Sequence, residues 1–142
     1  MQNRILVPLD GTPAMAEIIP TLRRLVAGTG AIVHLLLVRP PVAGPLQGED
    51  RILYLDELVS LERTTWENYL GHHGRQLADA DVAVQCEVRF GDALAETLAA
   101  GQRQSVQVIA LAGQPQRWLQ RLLRPNLAQR LLGQPRVPVL IA

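Results

Sequence analysis

Two apolar segments, Ser105-Val-Gln-Val-Ile-Ala-Leu-Ala-Gly113 and Val137-Pro-Val-Leu-Ile141, decide the fold of this chain. Each is a short run of largely β-branched and aliphatic residues, and the first ends at Gly113. The core of each run lacks polar alternation, which marks a strand covered on both faces, as parallel sheets require. Between them lie a loop with no acidic residue and a short helix near Leu127–Leu132. Strand, helix and strand in that order make one parallel crossover unit. Ligands of such sheets collect just beyond the carboxyl ends of the strands, so the loop opening at Gly113 is the first place to look for function.

The same pattern repeats upstream. Arg4-Ile-Leu-Val-Pro-Leu-Asp10 is a short apolar strand, with Pro8 expected near its carboxyl end because proline gives no ladder donor. Thr12 is placed to cap a helix and Pro13 to take its first position. Met15, Ile18, Ile19, Leu22, Leu25 and Val26 then recur at helical spacing, and Gly28 and Gly30 stop the helix. Ala31 to Val38 is a second, continuously apolar strand. The prolines of the 39–45 segment make a loop, and a long amphipathic helix begins near Glu49, turning Leu55, Val59, Trp66, Tyr69, Leu70 and Leu77 inward. Gly71 and Gly74 are expected to weaken it locally. From Val82 to Phe90 apolar and polar residues alternate, which predicts an edge strand with Cys86 on its apolar face. Asp92 caps a further helix running to about Ala100. Five strands alternating with helices give an α/β fold, a five-stranded parallel sheet of order 3-2-1-4-5 with helices on both faces, as one domain over residues 1–142. In that order Asp10 and Gly113 face each other across the switch point between strands 1 and 4.

Composition narrows the function classes. No apolar run approaches the roughly 20 residues of a membrane span. The opening residues enter a strand without the pattern of a secretory signal, and the single cysteine, Cys86, builds no intrachain disulfide framework, so a cytoplasmic location is expected. Net charge is +1, yet all 14 basic residues are arginine and every acidic residue lies at or before Glu96. The arginine-rich last third leaves a polyanion or nucleic-acid partner as a weaker alternative, disfavoured because the five aromatic residues are too scattered to stack on bases. There is no lysine, hence no P-loop lysine, and neither serine, Ser60 nor Ser105, stands in a nucleophile-elbow context. No catalytic constellation emerges. His34 is expected to be a neutral, hydrogen-bonded core residue. Adjacent helical residues diverge by about 100°, so His72 and His73 are poorly placed to grip one metal.

Taken together, Ile5-Leu-Val-Pro-Leu-Asp10-Gly-Thr12, Gly30-Ala-Ile-Val-His-Leu-Leu-Leu-Val38, Gly91-Asp92, the Val108–Gly113 strand and the closing Val137–Ile141 strand resemble the universal stress protein (UspA-like) family, in order and spacing. The resemblance implies a Rossmann-like sandwich of the adenine nucleotide alpha hydrolase type, a non-enzymatic stress-response role, and a homodimer paired through the edge strand that carries Val137, Val139, Leu140 and Ile141. It also implies a protein partner that the sequence does not name. Family members that bind ATP resemble the pattern Gly, two residues, Gly, nine residues, Gly, then Ser or Thr. On this chain those positions hold Gly113, Gln116, Asn126 and Leu127, so one of four matches. A side chain at Gln116 occupies space the backbone needs to approach phosphate, and Leu127 offers no hydroxyl. The expectation is therefore no cofactor. The alternative is an ATP and Mg²⁺ sensor, in which Asp10 lies near the nucleotide and Arg117, with Arg121 and Arg124, replaces the lost backbone donors.

Overall fold

The computed structural model describes residues 3–41, 49–78, 82–111 and 139–141. Strands β1 (Arg4–Leu9), β2 (Ile32–Arg39), β3 (Ala83–Phe90), β4 (Val108–Leu111) and the three-residue β5 (Val139–Ile141) pair in the order β3-β2-β1-β4-β5, every described pair parallel. The central position of β1 follows from its composition. Leu6, Val7 and Leu9 are sealed from solvent, and Pro8 sits one residue before the strand end, opposite Leu36. β2 is buried along almost its whole length, as its unbroken apolar run predicts.

Helices α1 (Pro13–Ala16) and α2 (Ile18–Val26) replace the single helix expected after Thr12. Thr12 does cap it, accepting from Met15 N at 3.4 Å, and Pro13 takes the first position. The break at Glu17 has a simple origin in Pro20. A proline cannot donate to the carbonyl four residues back, here Ala16, and its ring crowds that carbonyl. Restarting the helix at Ile18 puts Pro20 in a first turn, where a missing N–H costs nothing.

Helix α3 (Glu49–Ala78) runs unbroken through Gly71 and Gly74, contrary to the expected weak point. Gly74 is there for packing, since a Cβ on it would stand 3.3 Å from Val84 Cγ1 and 3.5 Å from Cys86 Sγ. α3 therefore covers the Val84–Cys86 face of β3. Helix α4 (Ala93–Arg103) covers the opposite face, its Arg103 reaching Glu87. Cys86 lies on the apolar face that α3 covers, as expected, but is exposed at the sheet edge. Its thiol nonetheless leans on Leu70 O at 3.7 Å, and desolvation there raises its pKa.

β3 is an edge strand, and an edge exposes unpaired backbone groups. Arg63 of α3 meets one of them, donating from Nη1 to Val88 O at 3.0 Å while its guanidinium lies 5.3 Å over the Phe90 ring. β4 begins later than the sequence suggests, at Val108 rather than Ser105. Ser105 instead closes α4 in the left-handed region, φ 52°, with Val106 N donating to Gly101 O and Ser105 N to Gln102 O. That pair of bonds is a Schellman closure, which an apolar residue such as Val106 normally follows. Among the described residues no helix is long and apolar enough to cross a membrane.

Candidate functional site

A cleft of about 690 Å³ opens at the carboxyl ends of β1, β2 and β3. Asp10 and Thr12 line it from β1, Val38 to Pro41 from β2, and Gly91 to Ala93 from the turn that starts α4. Ligands of parallel sheets collect just beyond the carboxyl ends of the strands, which is where this cleft lies. A further groove of about 510 Å³, lined by Ile19, Pro20, Arg23, Arg24 and Gln76, lies away from the strand ends.

The Asp10 carboxylate is committed locally. Its Oδ1 accepts from Thr12 N at 2.9 Å and from Thr12 Oγ1 at 2.6 Å, an Asx-type turn that carries the chain from β1 into α1. Between the two residues Gly11 adopts φ 87°, and a Cβ there would stand 2.7 Å from Cη2 and Cζ3 of Trp66. The turn is thus pressed against an indole from α3. Trp66 is fixed by its own bond, Nε1 donating to Glu62 Oε2 at 2.9 Å, and by an edge-to-face contact with Tyr69 at 5.5 Å.

Arg39 completes the cleft wall. Its guanidinium stacks 4.8 Å from the Trp66 ring centroid and donates from Nη1 to Asp10 O at 3.4 Å. Its Nε is buried without a partner. A cation over an indole face is held by the ring quadrupole, so Arg39 is positioned as well as charged. Behind it the Tyr69 hydroxyl is also buried and unpartnered, and its pKa is raised, first by burial and then by the Asp10 charge. At the third strand end Gly91 N donates to Arg39 O at 3.0 Å, and Asp92 caps α4 by accepting from Ala95 N at 2.9 Å.

Of the residues expected in the site, Asp10 lies in this cleft; its Oδ1 is a turn acceptor, while Oδ2 has no bond among the described residues. Gly113, Gln116, Arg117, Asn126 and Leu127 lie outside the described residues, as does Val137 of the edge strand. Val139, Leu140 and Ile141 form β5, paired with Ile109, Ala110 and Leu111. Arg39 and Trp66 were not legible as site residues. They stand 27 residues apart in the chain and meet only because β2 and α3 converge beside Gly11.

Two histidine readings change. His34 is buried, 5 % exposed, and burial first and Arg4 second lower its pKa, against an opposing pull from Glu87. It is therefore neutral as expected, but its Nε2 has no hydrogen-bond partner among the described residues. The His72 and His73 rings do not simply diverge. They meet at 5.3 Å, and His73 also packs on Tyr69 at 4.7 Å.

The universal stress protein family model matches the chain over residues 1–142. No curated protein sequence matches it. Among solved structures, a protein from the universal stress protein family of Burkholderia pseudomallei is 21 % identical, with a TM-score of 0.72 over 99 % of this chain and 95 % of that one. UspA from Lactobacillus plantarum is 15 % identical, with a TM-score of 0.67 over 98 % and 96 %. A universal stress protein solved in complex with cAMP is 12 % identical, with a TM-score of 0.58 over 99 % and 96 %. At such identities the structural likeness speaks for the fold alone. The match of the family model along the chain, with β1 at the centre of a parallel sheet and Asp10 closing it, makes the chain a member of the universal stress protein family.

Proposed function

We propose that this chain is a cytoplasmic, non-enzymatic stress-response module that works as a homodimer, recruits a protein partner, and does not hold ATP. Family membership supports the stress-response role. One observation carries the negative half of the reading: three of the four positions that cradle phosphate in the family's ATP binders are Gln116, Asn126 and Leu127 here. The turn bonds from Thr12 to Asp10 Oδ1 agree with it, since they occupy part of the carboxylate's acceptor capacity. Titration calorimetry with ATP and Mg²⁺ on nucleotide-free protein tests it, beside Asp10→Ala. No heat at millimolar ATP and an unchanged melting temperature are expected. Binding that disappears in the variant would overturn the reading.

The second reading, a nucleotide sensor, is favoured by the cleft itself, which is large enough for a nucleotide and carries the Arg39 cation. The relative solved with cAMP makes that cyclic nucleotide the natural second ligand in the same titration. The homodimer rests on β5, the last strand in the described order, whose apolar sequence invites pairing with a second copy about a twofold axis. Val139→Lys is expected to yield monomer or aggregate by light scattering. A dimer unchanged by that substitution would refute the edge as the interface.

A further inference from the structure

We propose that the cavity between α4 and the β2–β3 side of the sheet binds a small oxyanion, a carboxylate or inorganic phosphate, between the Arg103 guanidinium and the His34 imidazole. It lies on the α4 face of the sheet and is distinct from the cleft at the strand ends. Its volume, about 270 Å³, is below the usual range of nucleotide-sized sites and suits an ion of a few heavy atoms.

The sheet register assembles the site. His34 stands opposite Gln85, and Leu36 opposite Glu87, so imidazole, amide and carboxylate share one face. α4 closes the cavity with Ala100, Arg103 and Gln104. His34 is the first sign of a ligand. A buried polar atom nearly always has a partner, yet Nε2 has none among the described residues. An apolar residue would fill this position in the strand at no such cost. In the tautomer protonated at Nε2 the neutral ring offers one N–H to an incoming oxygen.

Charge selects the kind of ligand. Arg89 donates from Nε and Arg103 from Nη2 to the same atom, Glu87 Oε1. One carboxylate oxygen thus serves two guanidiniums, each of which carries further N–H donors. Among the charged residues that line the cavity, two arginines, Arg89 and Arg103, stand against one glutamate, Glu87, which leaves one positive charge in excess, repels cations and favours a single anionic group. Arginine is also the side chain best matched to a planar carboxylate or a phosphate.

The test uses full-length protein labelled with ¹⁵N in its histidines, titrated separately with inorganic phosphate and with acetate. One of the two is expected to shift the His34 ring resonances saturably, and that arm identifies the ligand class. Arg103→Gln, at a half-exposed position, is expected to weaken binding about tenfold, the loss of one charge-assisted bond. Arg23→Gln removes the same charge on α2, away from the cavity, and is expected to leave the affinity unchanged. His34→Leu is expected to raise the melting temperature, because it removes the unpartnered atom, and to abolish the further rise in melting temperature that the bound anion gives the unsubstituted protein. The proposal is overturned if neither anion shifts His34. It is equally overturned if both arginine variants weaken binding alike, which would mean diffuse charge rather than a site.

Discussion

Gly11→Ala is the substitution that tests the architecture of the cleft most sharply. Two separate costs are expected. The first is conformational: Gly11 holds φ 87°, where an L-residue is disfavoured by about 1–2 kcal/mol. The second is steric. The new methyl would stand 2.7 Å from the outer ring carbons of Trp66, which is held by Glu62 on one side and stacked by Arg39 on the other. Overpacking of this kind costs about 1–3 kcal/mol. The expected loss is about 2–5 kcal/mol, a large share of the roughly 5–15 kcal/mol that holds a domain folded. Urea denaturation followed by far-UV circular dichroism measures it without relying on the indole signal. Trp66→Leu separates the two parts, because leucine lacks the clashing six-membered ring. In that background Gly11→Ala should cost only the conformational part, leaving a coupling of about 1–3 kcal/mol between the sites. Effects that add within about 0.5 kcal/mol would refute the contact between turn and indole.

Two further substitutions follow from the same geometry. Ser105→Gly relieves the left-handed φ of 52° in the Schellman closure of α4 and is expected to stabilise the protein by about 0.5–1 kcal/mol, read as a higher urea midpoint; a lower midpoint would mean that the serine side chain contributes something the closure does not explain. Burial lowers the pKa of both His34 and His73 below the ordinary 6.5, so between the folded values and 6.5 the unfolded chain binds protons that the folded one refuses. Stability is therefore expected to be full above that value and to fall as pH drops below it. His34→Leu should flatten the fall, and an unchanged pH slope in that variant would remove His34 from the account.

The ladder of strands was legible because burial leaves a one-dimensional trace. The apolar run at 5–9 and the run at 32–38, broken only by His34, mark strands covered on both faces, and the alternation from Val82 to Phe90 marks one half-covered. Caps were legible for the same local reason: Thr12 and Asp92 act within three residues of themselves. Where local readings failed, a partner further along decided. Pro20 broke a helix at Glu17 because its ring answers to a carbonyl four residues earlier. Ser105 looked like the start of a strand, but the two turns before it claimed its backbone for a helix end.

The site divides along the same line. The sequence by itself determined that Asp10 follows an apolar strand and that Gln116, Asn126 and Leu127 stand where the resemblance to the family's ATP binders implies two glycines and a hydroxyl residue, since these are statements about residue identity at fixed spacing. Only the tertiary structure decided that Trp66 lies on Gly11, that Arg39 stacks on Trp66, and that Glu87 joins Arg89 to Arg103 beneath α4. It also decided that His34, read correctly as buried and neutral, lacks the partner a buried nitrogen requires. Backbone preferences and burial patterns act over a few residues and leave their mark in the chain. Contacts between side chains brought together by a crossover depend on register and packing distance, and these exist only once the sheet has formed.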